Sequence, residues 1–289
     1  MFATAAELLP HTAHPVRADV AEIPYRDEQG ETTIHGWLFA PAAAPDGPRP
    51  TIVSPAGYDS TAESGWVYSM GAVARGYTVL SVEGPGQGKS LYVDRRYFRP
   101  DYEVAATQIL DWALSRDDVD DNAVVMVGRS FAGYLAPRAV AHDDRWAGLV
   151  CDPAQPDMGA KLPSGAAGTV AAPLMTALAK ASREKADFFG ARMAAHGTTS
   201  IAEYFAELPK YSMLDSAAAI RCPTLIVECP GDPVGGGGRA LLEVMAPGIA
   251  EYREFDAGSG IDGHIGGLGQ RPWEEAVFDW VDATIAGAG

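Results

Sequence analysis

The sequence predicts an α/β fold: a mostly parallel central sheet flanked by helices, with a helical cap inserted after the sixth strand. Three observations carry this. Short, nearly continuous apolar runs alternate with helical patterns along most of the chain, as strands buried on both faces of a parallel sheet require. Two earlier stretches instead alternate apolar and polar residues, the period of half-exposed strands. Between 153 and 215 the rhythm breaks, leaving helical segments with no strand among them.

In chain order, 17–25 and 32–40 are the alternating pair and read as antiparallel strands. The buried runs follow at 51–56, 77–83, 123–129, 146–152, 223–229 and 251–256, the last more polar and so nearer an edge. Helical patterns fall at 63–75, 101–116, 131–142, 237–246 and 272–285. Gly76 is placed to cap the C-terminus of the first and Asp101 the N-terminus of the second. Three more, at 170–183, 185–196 and 200–209, make up the insertion. The expected domains are therefore a core of 1–152 with 216–289 and a cap of 153–215.

Composition narrows the function. The 22 Lys and Arg against 38 Asp and Glu leave a net charge of −16, which repels phosphate backbones and anionic lipid surfaces. Nucleic acid and membrane are excluded as expected partners, and no apolar run approaches the roughly 20 residues of a membrane span. The first twenty residues lack a basic segment ahead of an apolar core, so no signal peptide is expected. Cys151, Cys222 and Cys229 cannot all pair with one another, which points to a reduced, cytoplasmic setting. His11, His14, His35, His142 and His196 show no ligand spacing with cysteine or carboxylate, so no metal or other cofactor is expected.

The chemistry concentrates in Gly128-Arg129-Ser130-Phe131-Ala132-Gly133, between the strand 123–129 and a helix. Small residues around a serine at that junction fit a sharp turn that lifts the hydroxyl above the sheet. Such a serine needs a base and an orienting acid, in the order serine, aspartate, histidine. Asp232 follows the strand 223–229 in Pro230-Gly231-Asp232-Pro233, and His264 lies in the glycine-rich loop after 251–256. The backbone N–H of Phe131 is one expected oxyanion donor. The loop Pro55-Ala56-Gly57-Tyr58 supplies the second, from Gly57 or Tyr58, with the Tyr58 hydroxyl as a further candidate. Glu83-Gly84-Pro85-Gly86-Gln87-Gly88-Lys89-Ser90 resembles a phosphate loop, but Glu83 replaces its first glycine and would face a phosphate. It is read as the tight turn after a strand.

With these residues in view, GYDSTAES (57–64), RGYTVLSVEGPGQGKS (75–90), GRSFAGY (128–134), the stretch 200–232 and GSGIDGHIGG (258–267) resemble one branch of the α/β-hydrolases. That branch includes 2,6-dihydroxypseudooxynicotine hydrolase and polyketide-shortening hydrolases. The resemblance implies the α/β-hydrolase fold and a cofactor-free serine hydrolase, with Ser130, Asp232 and His264 as the catalytic residues. It implies cleavage of an ester, or of a carbon–carbon bond beside a ketone, in a small to medium, largely apolar substrate. Some such enzymes use an acidic residue after the sixth strand, where Asp152 and Asp157 lie. Of the apolar cap residues Leu174, Met175, Leu178, Phe188, Phe189 and Tyr204, some are expected to line the substrate cavity, with Phe188, Phe189, Tyr204 and Asp157 as the substrate-binding candidates. Two alternatives stand beside this: a cyclase or lyase on the same scaffold, and a catalytically silent binding protein. The expected partner is a small-molecule substrate, with a homodimer left open.

Overall fold

The computed structural model describes residues 2–8, 15–43, 47–163 and 165–287; His11 and His14 lie outside them. After a short helix α1 (Phe2–Ala6), the strands are β1 (Val16–Asp27), β2 (Gly30–Pro41), β3 (Arg49–Pro55), β4 (Thr78–Val82), β5 (Val119–Arg129), β6 (Gly148–Asp152), β7 (Thr224–Glu228) and β8 (Ala250–Glu254). They form one eight-stranded sheet in the order β1-β2-β4-β3-β5-β6-β7-β8. β1 and β2 are antiparallel, as their alternation predicts, and β2 also runs antiparallel to β4; the remaining pairs are parallel.

The continuous apolar runs arise because every second residue serves a different layer. Val124 and Met126 join an apolar layer with Leu149, Cys151 and Ile226, whereas Val125 and Val127 join the opposite layer with Val150, Leu225 and Val227. Helices α4 (Glu103–Leu114) and α5 (Ala132–Val140) cover the first face through Ile109, Leu110, Leu135 and Ala136. Helices α2 (Gly65–Ala74) and α10 (Gln270–Ala286) cover the second through Val73, Trp273, Val277 and Val281. β8 closes the sheet at one edge with exposed Glu251 and Glu254, and charge there discourages pairing with another chain.

Two local expectations change. Asp101 does not cap α4 with its side chain; its carboxylate takes both nitrogens of the Arg99 fork, at 2.7 and 2.8 Å. The segment resembling a phosphate loop leads into the five-residue helix α3 (Gly88–Tyr92), and Glu83 occupies the cradle itself. The Lys89 N–H donates to Glu83 Oε2 at 2.8 Å, and a Cβ on Gly88 would lie 1.9 Å from that carboxyl group. A phosphate has no room or charge complement there.

Between β6 and β7 the described chain forms helices α6 (Gly165–Ala181), α7 (Arg183–His196) and α8 (Ile201–Glu207), with no named strand among them. Ser182 and Ser200 cap α7 and α8 by accepting the N–H groups of Lys185 and Glu203, and Gly197 ends α7 in the left-handed conformation. The remaining helix, α9 (Gly238–Val244), links β7 to β8.

Candidate active site

Ser130 stands where β5 turns into α5, and its φ of 58° lies in the left-handed region that a side chain normally avoids. The turn is held from both sides. The Ser130 N–H donates to the Asp152 carbonyl at 2.8 Å, and Gln155 Nε2 donates to the Ser130 carbonyl at 2.5 Å. Pro137 in α5 has no N–H for the carbonyl of Gly133 four residues back; the Gln155 N–H takes that carbonyl at 3.0 Å instead. Gly133 is needed because the loop after β6 passes so close: a Cβ there would sit 1.9 Å from the Pro153 carbonyl oxygen. Gly133→Ala should therefore cost about 1–3 kcal/mol, readable as a lowered midpoint in urea at unchanged slope.

The other two residues arrive from the next two strand ends. Asp232 follows β7 and is locked by N–H donors from Val234 at 2.9 Å and Ile265 at 3.0 Å. His264 follows β8, and its neighbour Ile265 has a φ of 53°, a second left-handed non-glycine residue at this site. The Ser130 hydroxyl meets His264 Nε2 at 2.9 Å, and His264 Nδ1–H donates to the two Asp232 oxygens at 2.9 and 3.0 Å. Burial pushes the Asp232 carboxyl up, but the hydrogen bonds from His264, Ile265 and Val234 outweigh it and hold the group below the usual carboxylate range. Asp232 in turn raises the pKa of His264, against the effect of partial burial, with Asp152 and Asp59 adding to the rise.

The loop after β3 lies against the serine; a Cβ on Gly57 would be 3.4 Å from Ser130 Oγ. Its candidate donors separate cleanly. The Gly57 N–H is engaged by Ser60 Oγ at 2.7 Å, and the Tyr58 hydroxyl bonds His196 Nε2 at 2.6 Å. Burial lowers the pKa of His196 to about 4, so the ring that shares this hydrogen bond is neutral. Among the described residues, the N–H groups of Phe131 and Tyr58 have no protein acceptor.

Gln87, which motif reading passed over, fixes this loop from below. Its Nε2 donates to the Ala56 carbonyl and, at 3.2 Å, to that of Gly57, while its Oε1 accepts the Gly84 N–H at 2.7 Å. Tying down the carbonyls orients the amides on the opposite side of each peptide. Gln87→Leu should lower kcat by up to about 10²-fold with little change in KM, measured on a single ester substrate.

The expected cap residues are not brought to Ser130. Phe188 is exposed under the Arg192 guanidinium, Phe189 packs on Phe188 and Phe205, and Tyr204 packs on His196 and Phe205. Asp157 accepts the Ala160 N–H at 3.1 Å in a tight turn, and Asp152 is fully buried at the end of β6. The cavity beside Ser130, of about 120 Å³, is lined by Ser54, Gly57, Ser64, Tyr68, Ser81, Arg129 and His264 among others, with none of the cap residues above. These polar groups share the lining with Pro55, Ala56 and Ile265. All three cysteines are free and buried, and among the described residues no three His, Cys, Asp or Glu side chains converge as a metal set. No described helix is long and apolar enough to cross a membrane.

This strand order, with helices on both faces and a serine at the sharp turn after β5, defines an α/β-hydrolase. The family profile of the X-Pro dipeptidyl-peptidase (S15 family) matches residues 30–151, from β2 through β6. Hydrolase LUC6 of Fusarium sp is 30% identical over 91% of this chain and 68% of its own length. The α/β-hydrolase gkaG of Penicillium citrinum is 38% identical over 46% of this chain, but only 32% of its own length is covered. The crystal structure of 2,6-dihydroxy-pseudo-oxynicotine hydrolase superposes with a TM-score of 0.74 at 20% identity, covering 99% of this chain and 72% of that one. The chain belongs to the α/β-hydrolase family and is a hydrolase related to these fungal proteins.

Proposed function

We propose that the protein is a serine hydrolase acting on an ester, or on a carbon–carbon bond beside a ketone, in a small to medium acyl or ketone compound. The observation that carries this reading is the hydrogen-bonded series from Ser130 Oγ through His264 to Asp232, based on a serine held in a strained turn. Ser130 Oγ attacks the carbonyl carbon as its proton passes to His264 Nε2. Asp232 keeps the imidazole in the required tautomer and stabilises its charged form. The N–H groups of Phe131 and Tyr58 are the donors left for the developing oxyanion. Collapse of the tetrahedral species breaks the bond to the leaving group, an alkoxide or an enolate carbon, which takes the proton from His264. Water, deprotonated by the same imidazole, then attacks the acyl-serine and restores the free hydroxyl. Insertion 153–215 is assigned the role of a cap, which touches this machinery through His196 and Tyr58. The test is hydrolysis of short p-nitrophenyl esters and β-diketones by wild type beside Ser130→Ala. Turnover of neither class by the wild type would contradict the reading.

The pH dependence follows from His264. The base works only when neutral, and Asp232 sets its pKa above the ordinary value of about 6.5. The rate is therefore lost as pH falls through that raised pKa, and it levels off above it. A kcat/KM profile from pH 5 to 9 should show a single rising limb centred above about 6.5. A limb centred well below that value would mean that His264 is not the base.

A further inference from the structure

Arg129, between Gly128 and Ser130, has no part in the steps above. Its guanidinium is buried, and burial lowers its pKa only to about 10, so it stays charged at neutral pH. It lies over the Trp273 ring at 3.5 Å, with the Tyr68 ring at 4.7 Å. Among the described residues, none of its three nitrogens has a hydrogen-bond partner. Asp152 stands beside it in the β5–β6 register, but that carboxylate is taken by Trp273 Nε1 at 2.6 Å and the Cys229 thiol at 3.6 Å. Asp152 and Glu274 balance its charge electrostatically, but among the described residues no acceptor meets its N–H donors directly.

Arg129 borders the cavity that also holds Ser130 and His264, with Ser54, Ser64, Tyr68 and Ser81 on the same wall. The volume of about 120 Å³ far exceeds the roughly 10–15 Å³ needed by one water. No lysine and no second arginine lines it, and its one carboxylate, Asp59, is held by both nitrogens of Arg192 at 3.0 and 2.8 Å.

We propose that Arg129 makes this cavity a carboxylate-recognition site, so that the substrate carries a carboxylate on the side of the scissile carbonyl that enters it. A planar fork of N–H donors matches a carboxylate edge. Asp152 and Glu274 already stand beside Arg129, so a phosphate dianion would add two negative charges to a site that holds two carboxylates, where a carboxylate ligand adds one. The position of the scissile carbonyl rests on the hydrolase reading above, but carboxylate binding can be measured without turnover.

The experiment uses the Ser130→Ala protein, with butyrate and butyramide as probes in calorimetric titration at neutral pH. Butyrate should bind about tenfold to a hundredfold more tightly than butyramide. Arg129→Met on that background should remove the preference, and Arg129→Lys should keep part of it. Equal binding of the two probes overturns the proposal. So does an undiminished preference in Arg129→Met, which would place the carboxylate at the oxyanion donors. Inorganic phosphate binding more tightly than butyrate overturns the monoanion assignment. If Arg129→Met does not fold, the butyrate–butyramide comparison and Arg129→Lys still decide. A protein that binds butyrate as expected but hydrolyses nothing would refute the hydrolytic mechanism and leave this site standing.

Discussion

Ser130→Ala should lower turnover by about 10⁴–10⁶-fold, because the members of a nucleophile–base–acid unit act together and loss of the nucleophile removes the covalent route. The structure gives the alanine variant every chance to stay folded. Ser130 is tied into the turn by its backbone, through its N–H on Asp152 and its carbonyl on Gln155, and neither bond involves the hydroxyl. The left-handed φ of 58° is slightly harder for alanine than for a turn-tolerant residue, so a small loss of stability is expected beside the large loss of rate. KM should change little. A variant that keeps more than about one hundredth of the wild-type kcat would show that another group does the chemistry.

Asp232→Asn should be the second largest effect, about 10⁴-fold in kcat, with the fold intact. Asp232 accepts three kinds of donor: His264 Nδ1–H and the N–H groups of Val234 and Ile265. An asparagine has one acceptor oxygen for all of them, and its NH₂ group would oppose a donor. The imidazole is then driven to carry its proton on Nε2, facing Ser130, where it cannot act as a base. The charge that lifts the His264 pKa disappears as well, so the residual activity should rise at a lower pH than in wild type. An unchanged limb position in Asp232→Asn would separate Asp232 from His264 in function.

Much of the scaffold is legible in the sequence because its signals are local. The alternation in 17–25 follows from a strand with one exposed face and the continuous runs from strands covered on both; 32–40 departs from its expected alternation, because Trp37 and Phe39 are buried on one face and Leu38 on the other. Ser130, Asp232 and His264 come together because each lies just beyond the carboxyl end of a parallel strand, and such ends share one edge of the sheet. What escapes the sequence depends on which way a side chain faces. Phe188, Phe189 and Tyr204 have the composition of a pocket, but their rings meet one another, Phe205 and His196. Counting apolar residues on a helix does not reveal which surface they cover. Gln87 hides inside a segment that resembles a phosphate loop, and its partners, Ala56 and Gly57, are some thirty residues away. Arg129 occupies a position where the motif specifies no residue type, so only its buried, unmet donors reveal it. Of the oxyanion candidates, Gly57 drops out because Ser60, three residues on, engages its N–H, a competition that sequence spacing does not display.

Covalent labelling addresses the nucleophile most directly. The wild-type protein, treated with a serine-directed fluorophosphonate, should gain the mass of one phosphonyl group, mapped to Ser130 by peptide sequencing, and lose activity in proportion. Labelling should slow as the pH is lowered and His264 becomes protonated, and Ser130→Ala should not be modified. A label on any other residue, or an alanine variant that reacts as fast as wild type, would contradict the assignment of Ser130 as the nucleophile.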